Sequence, residues 1–135
     1  DDLTMIVLKG HLLAEAELNE LLEVLLRKSA PYFDSRPPLP QRIALVEALL
    51  GPTQNVWWLD ALRRLNRIRN KLAHQLEPLE LDVQIREFCQ LVEPDGATRA
   101  FSSTDLSKRL KLSPGLLCGN VAHVRAELAT LQAKP

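Results

Sequence analysis

Apolar positions recur along most of the chain at helical rather than strand spacing. Leu8, Leu12, Leu18, Leu22, Leu25 and Leu26 predict one long first helix over residues 2–29, with Pro31 as a stop soon after. Residues 31–40 read as a loop stiffened by Pro37, Pro38 and Pro40. A shorter second helix is expected from Pro40, in its first turn, to Leu50, with Gly51 as its C-terminal cap. The third begins between Thr53 and Val56 and ends before Pro78, because proline disfavours a helical Glu77; its apolar face is Trp58, Leu62, Leu65, Leu72 and Leu76. A fourth, over 80–92, carries Leu81, Ile85, Phe88 and Val92. Residues 93–103, with Pro94, Asp95 and Gly96, read as a loop, followed by a short helix at 104–111. The last helix, 114–132, aligns Leu117, Val121, Val124, Leu128 and Leu131 on a heptad-like seam. There is no internal repeat and no low-complexity tract. The pattern predicts an all-α helical bundle of five or six helices in a single domain over 1–135, with the long first helix packed against the third.

Composition supports a packed core: 135 residues, 46% hydrophobic and 25% charged, with only 4% aromatic. Lys+Arg and Asp+Glu are each 17, so the chain lacks the basic excess of a protein that coats long duplex DNA. Any nucleic-acid contact must come from a local patch. Cys89 and Cys118 lie in apolar helical surroundings and read as two buried thiols in a reduced compartment rather than a disulfide. No spacing of Cys and His suggests a metal site, and no cofactor motif is present. No apolar run approaches the roughly 20 residues that span a bilayer, and no signal peptide is visible, so a cytoplasmic protein with no membrane partner is expected. The first residue is Asp1 rather than Met, which points to a trimmed N-terminus.

Polar residues fall where a core is expected. With residues about 100° apart, the first helix centres its apolar face near Leu8, Leu22 and Leu26, and His11, Glu15 and Asn19 lie inside it. On the third helix Arg69 falls among Leu62, Leu65, Leu72 and Leu76. A charge on an apolar face is costly unless paired, so Glu15 and Arg69 are expected to meet across the helix pair. The plain alternative is a buried polar network that fixes helix register and does no chemistry. A second stripe, Arg63, Arg67, Asn70 and His74, follows the third helix, and 63–71 holds five basic residues and no acidic one. A solvated basic face explains such a run by itself. However, the stripe ends in a histidine in the last turn before Pro78, where the helix dipole favours imidazolium and proton transfer near neutral pH is accessible.

At Arg69-Asn70-Lys71-Leu72-Ala73-His74 the sequence resembles the HEPN superfamily (higher eukaryotes and prokaryotes nucleotide-binding), small helical-bundle proteins marked by an Arg, four to six intervening residues and a His, often with a polar residue after the Arg. The lead-in Leu65-Asn66-Arg67-Ile68 and the first-helix run Gly10-His11-Leu12-Leu13-Ala14-Glu15 extend the likeness over about residues 3–92. Residues 93–135 are not covered and read as a C-terminal helical extension. The resemblance implies a metal-independent endoribonuclease in the active members, and a homodimer whose two motifs face one another across a two-fold axis. On that basis Arg69, His74 and Asn70 are the candidate catalytic residues. Glu15, His11 and Asn19 support them, and Arg63, Arg67 and Lys71 contact RNA. RNA supplies its own nucleophile in the 2′-hydroxyl; a His moves the proton and an Arg stabilises charge on the phosphate oxygens. Two-fold symmetry would gather two basic stripes into one positive cleft on a neutral protein. One tension remains: on a regular helix Arg69 and His74 point about 140° apart.

Two kinds of function follow. One is a ribonuclease of toxin or phage-defence type, with a cognate antitoxin or regulatory protein as partner. The other is a non-catalytic HEPN-like module that binds RNA or nucleotide, or a transcriptional regulator of the mannitol-repressor kind. A DNA reader needs a recognition helix, and the only candidate is the weak segment 102–112 with Lys108, Arg109 and Lys111. A structural dimer through the seam from Leu117 to Leu131 is a third reading. His123 lies off that seam and is expected in solvent. Trp58 belongs to the core face, whereas Trp57 either packs under the following loop or marks a subunit contact.

Overall fold

The computed structural model describes residues 2–51, 57–74, 78–93 and 106–133. These residues form six helices and no strand: α1 (Asp2–Leu25), α2 (Ser29–Asp34), α3 (Leu39–Leu50), α4 (Trp57–Ala73), α5 (Pro78–Val92) and α6 (Leu106–Ala133). The four long helices close a ring in which α1 lies along α6, α6 on α5, α5 on α4 and α4 on α1. The short α3 covers the α1–α4 edge, touching both. The expected packing of the first helix against the motif-bearing helix is present, although α6 is the more extensive neighbour of α1. The core joins Val7, Leu18, Leu21 and Leu22 of α1 to Trp58, Leu62, Leu65 and Ile68 of α4, and to Ile85 and Phe88 of α5. Leu110, Leu117 and Val121 of α6 enter the same core, so the segment the resemblance did not cover helps to build it.

Several boundaries differ from the sequence expectation, each for a local reason. The first helix stops at Leu25, and part of the expected 31–40 loop is the helical turn Ser29–Asp34. Pro31 is tolerated there because it stands in the first turn, where its missing N–H has no intrahelical partner to lose. Pro38 caps α3 and Pro40 lies in its first turn. Gly51 ends α3 at φ 76, donating its N–H to the Glu47 carbonyl. α4 closes at Ala73, ahead of Pro78 as expected, and the His74 N–H bonds the Lys71 carbonyl at 3.0 Å. The expected start of that helix at 53–56, Leu76 of its apolar face, and the loop from 94 onward lie outside the described residues.

The two helices expected at 104–111 and 114–132 are one, running through Pro114. A proline inside a helix costs about 3 kcal/mol. Packing offsets it, because Leu110, Ser113, Pro114, Leu117 and Val121 form a single buried stripe that a break would divide. Ser113 Oγ donates to the Arg109 carbonyl at 2.8 Å within the same stretch. Opposite Pro114 stands Gly10, where an added Cβ would lie 2.8 Å from the proline Cγ. That approach draws α6 onto the Val7–Ala14–Leu21 side of α1 and rotates the buried face away from Leu8. Leu8 and Leu12, expected in the core, are consequently exposed, as are Met5 and Leu13. Along α6 the seam holds at Leu117 and Val121, is half-buried at Val124 and Leu128, and is lost at Leu131, which is 62% exposed.

Candidate functional site

The polar residues singled out on α1 do converge, but on a partner the sequence reading missed. Arg42 of α3 is almost fully buried and spends its guanidinium on three acceptors. Nη2 donates to Glu15 Oε1 at 2.7 Å, Nη1 to Asn19 Oδ1 at 2.7 Å, and Nε to the Pro37 carbonyl at 3.1 Å. The expected Glu15–Arg69 pair is therefore absent, because Arg42 takes the Glu15 carboxylate. Arg69 is exposed instead of sitting among the leucines; Ile68 fills the core beside it. Its only contact among the described residues is Nη1 to Asn70 Oδ1 at 3.3 Å.

His11 ties this group to α4. The ring is buried, with Nε2 3.2 Å from Asn66 Oδ1; since that oxygen can only accept, Nε2 donates. Nδ1 faces Glu15 Oε2 at 3.8 Å. Asn66, also missed, precedes Arg69 and Asn70 by one helical turn, which places all three side chains at one edge of α4. Together they open a cleft of about 400 Å³ between α1, α3 and α4, lined by His11, Glu15 and Arg42, by Asn66, Arg69 and Asn70, and by Pro38, Leu39 and Pro40 at the start of α3. Asn19 stands behind it as an acceptor for Arg42.

His74 is exposed in the turn after α4 and does not line this cleft. The basic stripe also divides. Arg63, expected to contact RNA, is held by Glu47 of α3 and by Asp60 at 3.0 Å. Those carboxylates, Glu47 foremost, raise its pKa above the usual arginine value. Arg64 pairs with Glu87 of α5 at 2.7 Å. Glu47 and Glu87 come from neighbouring helices, so a charge run read along one helix could not reveal them, whereas Asp60 lies three residues before Arg63 on α4 itself. Arg67 and Arg69 remain exposed with no carboxylate partner among the described residues, and Lys71 borders a shallow hollow with Glu80, Val83 and Gln84. Along α4, the positive charge without a carboxylate partner among the described residues is thus confined to the C-terminal half.

Elsewhere, Arg109 of the weak 102–112 candidate is not free to read DNA. It forms a fork with Glu93, Nε to Oε1 2.6 Å and Nη2 to Oε2 3.0 Å, on largely buried side chains. His123 is in solvent as expected, 3.0 Å from Glu127. Trp58 is in the core, while the half-buried Trp57 borders an apolar groove with Val92, Gly115, Leu116 and Gly119. Cys89 and Cys118 are both free; Cys89 is buried and Cys118 only half-buried. Among the described residues no three His, Cys, Asp or Glu side chains are placed to hold a metal ion, and no helix is long and apolar enough to cross a membrane.

No family model matches the chain, and neither the curated proteins nor the solved structures compared with it give a match.

Proposed function

We propose that this chain is a HEPN-like, metal-independent endoribonuclease acting as a homodimer, with Arg69 and Asn70 engaging the phosphate and His74 moving the proton. The observation that carries this reading is the freedom of Arg69. Arg42, Arg63, Arg64, Arg109 and Arg125 each hold a carboxylate, whereas Arg69, like Arg67, is exposed without one among the described residues, and of these two it is Arg69 that lines the cleft, bonded there to the neutral Asn70. A guanidinium left uncompensated beside a cleft is available to an anion. Attack by the RNA 2′-hydroxyl needs no metal-activated water: it needs a proton acceptor, here the exposed His74, and charge stabilisation at the phosphate oxygens. The homodimer has support in the exposed stripe of Met5, Leu8 and Leu12, which runs along α1 beside His11 and Glu15. A second copy on that stripe would bring the two copies of Arg69, which lines the cleft beside α1, towards one another. A toxin or phage-defence role with a cognate antitoxin, in the cytoplasm, is the setting this activity fits.

One observation favours a second reading, a non-catalytic module that binds RNA or nucleotide, or a regulator of the mannitol-repressor kind. His74 is not among the residues lining the cleft that holds Arg69. Cleavage of mixed cellular RNA by the purified protein in chelator separates the two. Cutting by wild type that is lost in His74→Ala supports the enzyme. A folded dimer that binds RNA without cutting it supports the binding module.

A further inference from the structure

The outer side of α6 is poor in charge. Its inner side places Leu110, Leu117 and Val121 in the core. Between Leu112 and Gln132 the exposed positions carry no Lys or Arg and a single carboxylate, Glu127. A helix without a charged face is normally covered on both sides, and the cores of protein interfaces are depleted in charge. Two features of this outer side match each other. Towards its start an apolar groove of about 360 Å³ opens at Gly115, Leu116 and Gly119, bordered by Trp57 of α4 and Val92 of α5. Among the described residues nothing stands within 4 Å of a Cβ placed on either glycine. Towards its end Leu131 projects, 62% exposed.

We infer that the outer side of α6 is a self-association surface, on which α6 of a second copy lies antiparallel and each Leu131 enters the other's Gly115–Gly119 groove. A groove and a projecting side chain on one helix are what a two-fold contact requires, since each copy then supplies both halves. The exposed positions Leu112, Leu116, Gly119, His123, Ala126 and Thr130 advance in alternating steps of four and three, the spacing of a helix–helix seam. Setting Gly119 against Thr130 of the second copy also sets His123 against its Ala126, so the bulky His123 faces a small side chain. The same register brings Leu131 to Gly119 and His123 to Glu127 of the second copy. His123 Nε2 and Glu127 Oε1 already lie 3.0 Å apart within one chain. An antiparallel partner presents the same two groups in reverse order, whereas a parallel one would set Glu127 against Glu127. This face lies opposite the buried Leu117 and Val121 and apart from the α1 stripe. It rests on neither the α1 pairing nor the nuclease.

The test is a concentration series by sedimentation velocity, with folding checked by circular dichroism. From Leu112 to Leu131 the face is about 30 Å long and one helix, about 10 Å, wide. That is well below the roughly 800 Å² per partner of a standard interface, so pairing is expected at roughly 10 µM to 1 mM. Wild-type mass should double across that range, starting from whatever the α1 pairing sets at its lower end. Leu131→Glu and Leu116→Glu change exposed side chains outside the core and should each abolish the doubling. Oxidative cross-linking of added cysteines reads the direction, with wild type as the control for Cys89 and Cys118. His123→Cys should link to its own counterpart beside the two-fold axis. Gly119→Cys and Thr130→Cys, each about 16 Å along the axis from its own counterpart, should link only when the two variants are mixed. Doubling that survives both Glu variants, or Gly119→Cys linking to itself, would overturn the assignment. A mass constant up to about 1 mM would also overturn it and leave the face to a different protein. No readout involves RNA, so failure here leaves the nuclease reading untouched, and loss of the nuclease leaves this contact in place.

Discussion

Arg42 and Glu15 close an ion pair, Nη2 to Oε1 2.7 Å, that fastens α3 to α1 and leaves Arg69 exposed one helix away. The two arginines should therefore separate in a stability measurement. Removing one partner of a fully buried pair costs about 3–5 kcal/mol; with Glu15 still 29% exposed, about 2–3 kcal/mol is the appropriate scale for Arg42→Ala. Arg69→Ala, which removes an exposed side chain bonded, among the described residues, only to its neighbour Asn70, should leave the urea midpoint nearly unchanged. Equal losses in the two variants would return Arg69 to the structural role the sequence first assigned it.

The contact of Gly10 with Pro114 makes a second prediction about the same fold. A methyl group at position 10 would press on the proline ring at 2.8 and 3.0 Å, and the ring is held in the buried stripe of α6. Gly10→Ala should cost about 1–3 kcal/mol, the range for overpacking. Gly119→Ala is the control: nothing lies within 4 Å of its added methyl, so relief of glycine's helical entropy should stabilise by about 0.5–1 kcal/mol. Urea unfolding of the two variants reads both signs.

Helical periodicity made most of this bundle legible. Trp58, Leu62 and Leu65, then Ile85, Phe88 and Val92, then Leu117 and Val121 are buried on the faces their spacing gives. Spacing along one helix does not say which helix lies opposite, and the errors share that origin. Pro114 reads as a break until Gly10 is found facing it. Glu15 reads as a partner for Arg69 until the turn through Arg36, at φ 53, delivers α3 to the edge of α1. The signal for Arg42 was present: it falls on the α3 face shared by Leu39, Ile43 and Val46, as anomalous a charge as Arg69 seemed on its own helix. Asn66 carried no such signal, because a polar residue at the margin of an amphipathic face is unremarkable without its neighbour His11.

Cys118 supplies a pH-dependent prediction. Burial first, and the negative charge of Glu17 second, push its thiol from 9.0 up to about 11. The fold favours the protonated thiol, so the associated stability is fully present below pH 9 and is lost as pH rises through about 11. Alkylation by iodoacetamide, resolved from Cys89 by peptide mass, should be slow at pH 8 in the native protein and fast in urea. It should accelerate in the native protein only towards pH 11. Equal rates in native and unfolded protein at pH 8 would show that the thiol titrates as if exposed.

The exposed stripe on α1 sets the test of the dimer. Met5, Leu8 and Leu12 follow one another at i, i+3 and i+7 in solvent, beside the cleft rather than behind it. The double change Leu8→Glu with Leu12→Glu should convert a dimer seen by light scattering into a folded monomer, with little change in melting, since neither side chain belongs to the core. Leu131→Glu, at the exposed end of the α6 seam, should leave the dimer intact. The reverse pattern would move the interface to α6 and part it from Arg69. RNA cleavage by the double variant carries the argument to function: two basic α4 ends gathered by α1 make activity dependent on assembly, whereas undiminished cutting by the monomer would confine the chemistry to a single chain.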